Sequence, residues 1–275
     1  MPMKSKTITR LVLAGVFAAS AFISTHTVHS QDDSELVGSK GCGMCHKEEK
    51  AQWDEHKHAA IKCECETCHG PGHKHAAAGP KNLREWKKKK QDMLIIVNKT
   101  SETCGECHSQ TDDKSIALES DFMVKGQQQY TEMLYNKKAK MKMTCVMCHD
   151  AHATVSSEDG IKRACLVCHK GKFKVEIKIA AMADLSCEAC HMPLAAKGTK
   201  VEKVGEYEKG DVRSHIFGIT TDPDYKLNDG TGKAKINEDG FARLTVEQTC
   251  YACHKTGAAS DMNRKQLLSM GKKIH

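Results

Sequence analysis

Cysteine and histidine recur in this sequence in one fixed arrangement, Cys-x-x-Cys-His, which occurs seven times. The copies are Cys42/Cys45/His46, Cys65/Cys68/His69, Cys104/Cys107/His108, Cys145/Cys148/His149, Cys165/Cys168/His169, Cys187/Cys190/His191 and Cys250/Cys253/His254. Two thiols at this spacing lie on one turn of backbone, where both can form thioethers with the vinyl groups of a single porphyrin. The adjacent imidazole then supplies the proximal ligand of the iron. Each copy therefore predicts one covalently attached haem c, seven in all.

Structural zinc and dithiol redox chemistry are the alternative uses of paired cysteines. Zinc needs four ligands, and nothing in its chemistry requires a histidine directly after every second cysteine. A dithiol redox motif would be accompanied by alternating strand and helix patterns, which this sequence lacks. Both hypotheses therefore fit seven complete copies poorly.

Seven histidines lie outside the motifs and after residue 30, where they could serve as second axial ligands of the irons. We predict this role for the four that lie close to a motif or in a patterned context, namely His58, His75, His152 and His215. His56 and His73 each stand two residues before one of these four, and His275 is the last residue, so their roles stay open. The 13 methionines are interpreted as adaptable apolar side chains.

The fifteenth cysteine, Cys63, makes the second motif ambiguous, because Cys63 and Cys68 also form an attachment pair with a longer spacing. We favour Cys65 with Cys68, since this choice keeps the spacing of the other six copies. The leftover thiol then forms an intermolecular disulfide or takes no part in the chemistry.

The N-terminus has the pattern of a signal peptide, in which Lys4, Lys6 and Arg10 precede an apolar run at 11–23 and a polar stretch with small residues. The run is shorter than the roughly 20 residues that span a bilayer. Cleavage after residue 30 is favoured over cleavage after residue 21, and we expect no integral membrane segment after signal removal. The sequence thus predicts an exported, periplasmic protein, with an extracellular location as the alternative.

The formal net charge of +7 at pH 7 does not indicate a nucleic-acid-binding protein. It includes the cations of the predicted signal peptide and omits the two propionates that each haem carries, so the loaded protein is expected to be net negative. The lysine run at 87–90 is interpreted as a solvated helix face or a docking patch for a redox protein partner.

Aromatic residues make up only 5% of the chain, so we expect the haems rather than side chains to fill the interior. The predicted fold is mainly α with extensive irregular loops, a multihaem cytochrome c fold organised around a stack of seven covalently bound haems. Strand signals are scarce, and mixed apolar and charged patterns predict helices over 46–60, 81–97, 114–140 and 262–273.

The chain is predicted to have three divisions: a signal peptide at 1–30, a six-haem cytochrome region at 31–200 and a C-terminal segment at 201–275. The starts of the sixth and seventh motifs are 63 residues apart, and this long interval is expected to wrap back over the haems.

Several stretches resemble the periplasmic multihaem cytochromes that serve dissimilatory reductases and outer-membrane electron conduits, and the related tetrahaem carriers of nitrifiers. The stretches are residues 37–46 with Trp53 and His58, residues 68–75, residues 148–152, and residues 190–193 with 211–217. In that family, histidines at the places of His58, His75, His152 and His215 are commonly axial ligands. The sequence departs from the family at Ala151, where relatives often have proline, and in its seven motifs, since many relatives carry four, five, eight or ten haems.

The resemblance implies an electron carrier with redox protein partners, such as a membrane-bound quinol dehydrogenase as donor and a terminal reductase or outer-membrane conduit as acceptor. Haems with two histidine ligands leave no position for a substrate, so we favour a carrier without substrate turnover. A reductase of nitrite, hydroxylamine or a sulfur oxyanion is the second hypothesis, and it needs one iron with an open position. A subunit of an extracellular cytochrome filament is the third, for which Cys63 and His275 are the hints.

Overall fold

The computed structural model describes residues 36–77, 100–157, 160–161, 165–169, 177–204, 207–255 and 257–275. The predicted signal peptide at 1–30 and the predicted helix at 81–97 lie outside these residues. Among the residues described, every helix is too short or too polar to span a bilayer.

Short helices follow one another along most of the described chain. They are α1 (Gly38–Cys42), α2 (Lys47–Asp54), α3 (Lys57–Ala60), α4 (Cys65–His69), α5 (His73–Ala77), α6 (Glu102–His108), α7 (Gln129–Leu134), α8 (Lys137–Lys140), α9 (Cys187–His191), α10 (Val246–Cys250) and α11 (Arg264–Gly271). Single 3₁₀ turns lie at Cys145–Met147, Cys165–Val167 and Ala180–Met182. The first cysteine of every motif thus lies in a helical turn, in agreement with the predicted conformation of the motifs.

Reciprocal side-chain caps begin three of these helices. The capping pairs are Glu64 with Thr67 at α4, Thr245 with Gln248 at α10, and Asn263 with Gln266 at α11. Such pairs satisfy backbone N–H groups that have no partner in the first turn of a helix. Helices of only five to eight residues are marginally stable by themselves, so these caps help to fix where each one starts.

The predicted helix at 46–60 consists of two helices, α2 and α3, because the chain turns at Glu55 and His56. The side chain of His56 caps the second of these by accepting from the N–H of His58 at 3.0 Å. The predicted helix at 262–273 is confirmed as α11.

The prediction of one helix over 114–140 is wrong for residues 114–128. These residues form bends, isolated bridges and the short strand β1 (Val124–Lys125), and helix begins only at α7. The buried amide of Gln128 accounts for the difference. Its oxygen accepts from the N–H of Ala117 at 2.9 Å, and its nitrogen donates to the carbonyl of Ala117 at 2.6 Å, which holds the chain in a loop.

A three-stranded sheet, which the scarce strand signals do not predict, has the order β1-β2-β3. Strand β2 (Ala196–Val204) pairs parallel with β1 and antiparallel with β3 (Tyr207–Val212). Asp211 bonds across an irregular part of this pairing, accepting from the N–H groups of Thr199 and Gly198. These bonds and the Thr199 hydroxyl hold the pKa of Asp211 well below its ordinary value.

The main apolar core joins residues 116–124 to the long interval between the sixth and seventh motifs. Its buried side chains are Ile116, Leu118, Val124, Ala195, Ala196, Ile216, Leu227, Ala234, Ala242 and Leu244. A smaller cluster of Val246, Tyr251 and Leu267 packs α11 against α10. The interval therefore has a side-chain core, which the expectation of a haem-filled interior did not include.

The expected division between residues 200 and 201 falls inside β2. The strand continues across this position, and the division itself stays a prediction.

Candidate haem-binding site

The motifs share a backbone turn that brings both thiols and the histidine together. The N–H of the histidine donates to the carbonyl of the first cysteine at 3.0 Å in the first and fifth motifs, and at 2.9 Å in the fourth and seventh. In the second, third and sixth motifs, the same residues lie inside α4, α6 and α9. Because residues three and four apart share one face of a helical turn, all three side chains can contact one flat ring.

An acceptor at Nδ1 fixes the ring of three motif histidines. The contacts are His108 to the Gln129 side-chain oxygen at 2.9 Å, His191 to the Phe217 carbonyl at 2.9 Å, and His254 to the Ser260 carbonyl at 2.6 Å. A carbonyl oxygen only accepts, so Nδ1 carries the proton in these rings. Nε2 then keeps its lone pair, which is the state that a metal-binding imidazole requires.

Five motif histidines each face a second histidine at nearly the same distance, within the part of the chain that the structure describes. The ring centres are 6.0 Å apart in His46–His75, 6.0 Å in His58–His108, 5.9 Å in His69–His152, 6.0 Å in His149–His215 and 5.8 Å in His191–His275. The angle between the ring planes ranges from 8° in His69–His152 to 60° in His58–His108. A constant distance at such varied angles indicates a common spacer rather than ring stacking.

This distance fits two imidazoles that bind one metal ion from opposite sides. Imidazole nitrogens bind metal ions at about 2.0 to 2.1 Å, which puts the centres of two opposed rings about 6 Å apart. Directly stacked rings lie closer, as in Tyr207–Tyr251 with centres 4.0 Å apart. The residues present therefore fit a haem iron between the rings of each pair.

Burial favours the neutral form of five of the paired imidazoles. It lowers the pKa of His58, His69, His149 and His191, and lowers the pKa of His215 to about 4. A neutral imidazole has the free lone pair that a metal requires, so these rings need not lose a proton to bind iron at pH 7.

The structure thus brings all four predicted distal histidines opposite a motif histidine, and it adds His275, which the sequence left open. The equal number of spare histidines and motifs was the only sequence signal for His275, because its partner His191 is remote in the chain.

His56 has a different environment from the five paired histidines. Its Nε2 lies 3.1 Å from the carbonyl oxygen of Ala153, and its Nδ1 accepts from the N–H of His58. Its ring stacks on Trp53 with centres 5.0 Å apart. Both nitrogens are engaged in hydrogen bonds, so His56 supports the position of His58 rather than offering a metal ligand.

The remaining histidines are placed as follows. His73 is exposed on α5, two residues before His75. His169 is exposed after the 3₁₀ turn of the fifth motif, whereas His254 of the seventh motif is buried.

Cysteine sulfurs of consecutive motifs lie close enough to interact. The pairs are Cys42–Cys65, Cys68–Cys107, Cys104–Cys145, Cys165–Cys187 and Cys190–Cys250. Between the fourth and fifth motifs, the half-buried ammonium of Lys138 interacts with both Cys148 and Cys165 and lies 3.9 Å from the centre of the Phe217 ring. The motifs are therefore neighbours in space in the order in which they occur in the sequence.

Six predicted attachment cysteines are exposed, which differs from the expectation that the motifs enclose a haem-filled interior: Cys45, Cys68, Cys107, Cys165, Cys168 and Cys253. Cys45, Cys168 and Cys253 lie on the same kind of short turn. Each N–H donates to the carbonyl of the first cysteine of its motif, at 3.1 Å for Cys45, 3.2 Å for Cys168 and 3.1 Å for Cys253. In these three motifs the second cysteine lies at the protein surface, where its thiol is accessible to a porphyrin vinyl group. Attachment through the six exposed thiols stays a prediction.

Cys63 lies beside Cys68, and its carbonyl accepts from the indole N–H of Trp53 at 3.2 Å. Cys65 begins α4 and interacts with Cys42, the first cysteine of the preceding motif. Attachment through Cys65 stays a prediction.

Comparison with known proteins points to the same class of protein as the motifs. No family model matches the chain. The multiheme cytochrome MtrA of Shewanella baltica is 26% identical over 235 residues, which cover 79% of this chain and 53% of that protein, so the chain spans about half of its length. Among solved structures, the octaheme sulfite reductase MccA of Wolinella succinogenes, form II, has a TM-score of 0.47 and 19% identity, and the match covers 68% of this chain and 34% of that chain. The repeated Cys-x-x-Cys-His motifs and the similarity to MtrA both indicate the multihaem c-type cytochromes.

Proposed function

We propose that this protein is a heptahaem c-type cytochrome that carries electrons between redox protein partners, with one haem c at each motif. The observation that supports this best is the set of five histidine pairs with ring centres 5.8 to 6.0 Å apart. Bound haem iron supplies reversible one-electron chemistry. An iron with two imidazole ligands has no open position, which favours electron exchange over substrate turnover.

In this proposal the fourteen motif cysteines attach the haems and the seven motif histidines are the proximal ligands. The distal ligands are His75 for the first haem, His152 for the second, His58 for the third and His215 for the fourth. Each distal histidine belongs to a different segment from the motif that it faces. Ligation would therefore hold remote segments of the chain together.

The proximity of cysteines in consecutive motifs supports a single electron path through the haems in sequence order. These neighbouring cysteines connect the first four motifs to one another and the last three to one another. Lys138 lies between these two groups of motifs, close to Cys148 of the fourth motif and Cys165 of the fifth. Its positive charge would favour the reduced state of the haems on either side, since a nearby cation stabilises an added electron.

We further propose that residues 1–30 are a signal peptide, that the protein acts in the periplasm or outside the cell, and that it has a six-haem region at 31–200 followed by 201–275. A membrane-bound quinol dehydrogenase is the proposed donor, and a terminal reductase or outer-membrane conduit the proposed acceptor. Support for redox protein partners comes from the name of the matched relative, a multiheme cytochrome.

Haem count and spin state test the proposal together. Protein matured with the haem-attachment machinery should have the intact mass of the mature polypeptide plus seven haems, and at least five of the haems should be low-spin by electron paramagnetic resonance. A reproducible mass with six or fewer haems would contradict it. Turnover of nitrite, hydroxylamine or a sulfur oxyanion with a reduced dye would favour a reductase instead.

His215→Ala is the sharpest single substitution for this test, because contacts around His215 hold its loop without using the imidazole. Glu132 accepts from the hydroxyl of Ser214 at 2.6 Å and from the N–H of His215, and the Asn136 amide donates to the His215 carbonyl at 3.3 Å. The variant should therefore open one iron and leave the loop in place. We expect one high-spin haem with a raised potential that binds carbon monoxide after reduction.

His73→Ala is the matched control, since His73 also lies outside the motifs but is exposed on α5. It should leave the spectrum unchanged. If His215→Ala is equally silent, His215 is not a ligand and the assignment of the fourth haem is wrong.

A further inference from the structure

We propose that His275 is the distal ligand of the haem attached at Cys187 and Cys190, and that α11 is the arm that delivers it. The inference rests on the proposed function and extends it to a fifth distal ligand, which neither the motif spacing nor the family resemblance assigns. The ring centres of His275 and His191 are 5.8 Å apart and their planes differ by 12°. This is the same separation that the four predicted distal histidines have from their partners.

The ring of His191 is oriented for this role. Its Nδ1 lies 2.9 Å from the carbonyl oxygen of Phe217, which as an acceptor holds the proton on that nitrogen. Nε2 is then the coordinating atom, as in metal-bound histidines whose other nitrogen donates to a carbonyl.

The arm is anchored at its start and along its buried face. Asn263 and Gln266 cap α11 reciprocally, with backbone-to-side-chain distances of 3.0 and 2.8 Å. Leu267 is fully buried against Val246 and Tyr251. Because its N-terminal cap and the buried Leu267 both fix α11, the C-terminal end of the helix has a defined position from which the chain can present His275.

The exit from the arm is also held by backbone bonds. The N–H of Lys273 donates to the carbonyl of Met270 at 2.8 Å, and the carbonyl of Ile274 accepts from the N–H of Lys178 at 2.9 Å. The second bond fastens the residue before His275 to the segment that leads into the sixth motif. The backbone directly before His275 is therefore held in place by these two hydrogen bonds.

This arrangement connects the last two haem motifs. The arm packs on α10, which ends at Cys250 of the seventh motif, while His275 faces the histidine of the sixth. Cys190 and Cys250 are already neighbours. Ligation by His275 would connect the haem of the sixth motif to the helix that packs against the seventh motif.

The test compares His275→Ala with wild type and with His73→Ala in fully matured protein. We expect His275→Ala to retain the wild-type haem mass, to convert one haem from low-spin to high-spin, and to bind one more equivalent of carbon monoxide after reduction. Added imidazole should restore the low-spin spectrum, because it fills the opened position. His73→Ala should match wild type in all three measurements.

His275→Met serves as a second variant in case the alanine variant does not mature. Methionine still provides a sixth ligand, and a histidine–methionine haem has a higher potential than a bis-histidine haem. One haem should therefore shift to a higher potential without any high-spin signal. Unchanged spectra and potentials in both variants would overturn the role of His275, whereas a wrong haem mass in wild type would overturn the proposed function separately.

Discussion

Two regions of this molecule are held together in different ways. In residues 36–77, all of which are described, Trp53 is the single buried apolar side chain, although two haem motifs lie there. The region built from 116–135 and 194–250 contains ten buried apolar residues in one cluster, and its long interval has no motif. Apolar side chains are thus concentrated where motifs are sparse.

Polar contacts take the place of a side-chain core in the N-terminal region. The carboxylate of Glu66 accepts from the N–H groups of Val37, Gly38 and Gly72, and Glu64 accepts from the N–H of Ser39. These bonds fix the first helix to the second motif. They do not replace the stabilisation that buried apolar area provides, which is about 25 cal/mol for each Å². Porphyrin surface is the natural source of that area here.

The largest expected effect follows from removing the haems. In haem-free polypeptide, residues 36–77 should exchange amide hydrogens as an unfolded chain does, because too little apolar surface remains to offset chain entropy. Residues 116–135 and 194–250 should keep measurable protection, without a cooperative thermal transition of the whole chain. Hydrogen exchange read by mass spectrometry measures both. Strong protection of residues 36–77 in the haem-free chain would contradict the conclusion that this region depends on the haems for its stability.

The next effect concerns the side-chain core of the loaded protein. Leu244 is fully buried, so Leu244→Ala should lower the free energy of unfolding by about 2 to 5 kcal/mol. Denaturant titration followed by far-ultraviolet circular dichroism measures this loss. Ile61→Ala is the control, since Ile61 is 74% exposed, and it should change stability by less than about 0.5 kcal/mol. Equal effects of the two substitutions would show that the core contributes little beside the haems.

The smallest effect concerns Glu66. Burial raises its pKa, but the N–H groups of Val37, Gly38 and Gly72 outweigh this and hold the pKa below the ordinary value of 4.5. Because the folded pKa is lower than the unfolded one, the stabilisation is complete above the ordinary value and is lost as the pH falls through the folded pKa. Glu66→Gln should therefore cost about 1.5 to 3 kcal/mol at neutral pH and progressively less in acid.

Denaturant titrations of this variant and wild type over a range of pH measure the effect, with exposed Glu55→Gln as the control. A loss that stays constant down to acid pH would mean that Glu66 acts through its shape rather than its charge.

The sequence predicts the local parts of this architecture well and the remote parts poorly. The motif turns and α11 depend on residues within a few positions of one another, and they agree with the prediction. The sheet and the loop held by Gln128 depend on contacts with segments that the local pattern does not reveal. Helical periodicity over 114–128 was therefore misleading.

The candidate site shows the same difference between features set by the local sequence and features set by remote contacts. Four facing histidines are predicted from their positions near a motif or in a patterned context, with support from the family resemblance, but which motif histidine each one faces is clear only in the structure. His75 follows the second motif but faces His46 of the first. His152 follows the fourth motif but faces His69 of the second. Sequence proximity to a motif is thus a poor guide to the partner.

The histidine pairs also determine how the chain can be divided. The pairs span 46–75, 58–108, 69–152, 149–215 and 191–275, and each span overlaps the next. Any cut between residues 46 and 275 therefore separates the two members of at least one pair. A C-terminal truncation anywhere in this interval would leave at least one retained motif without the histidine that faces it.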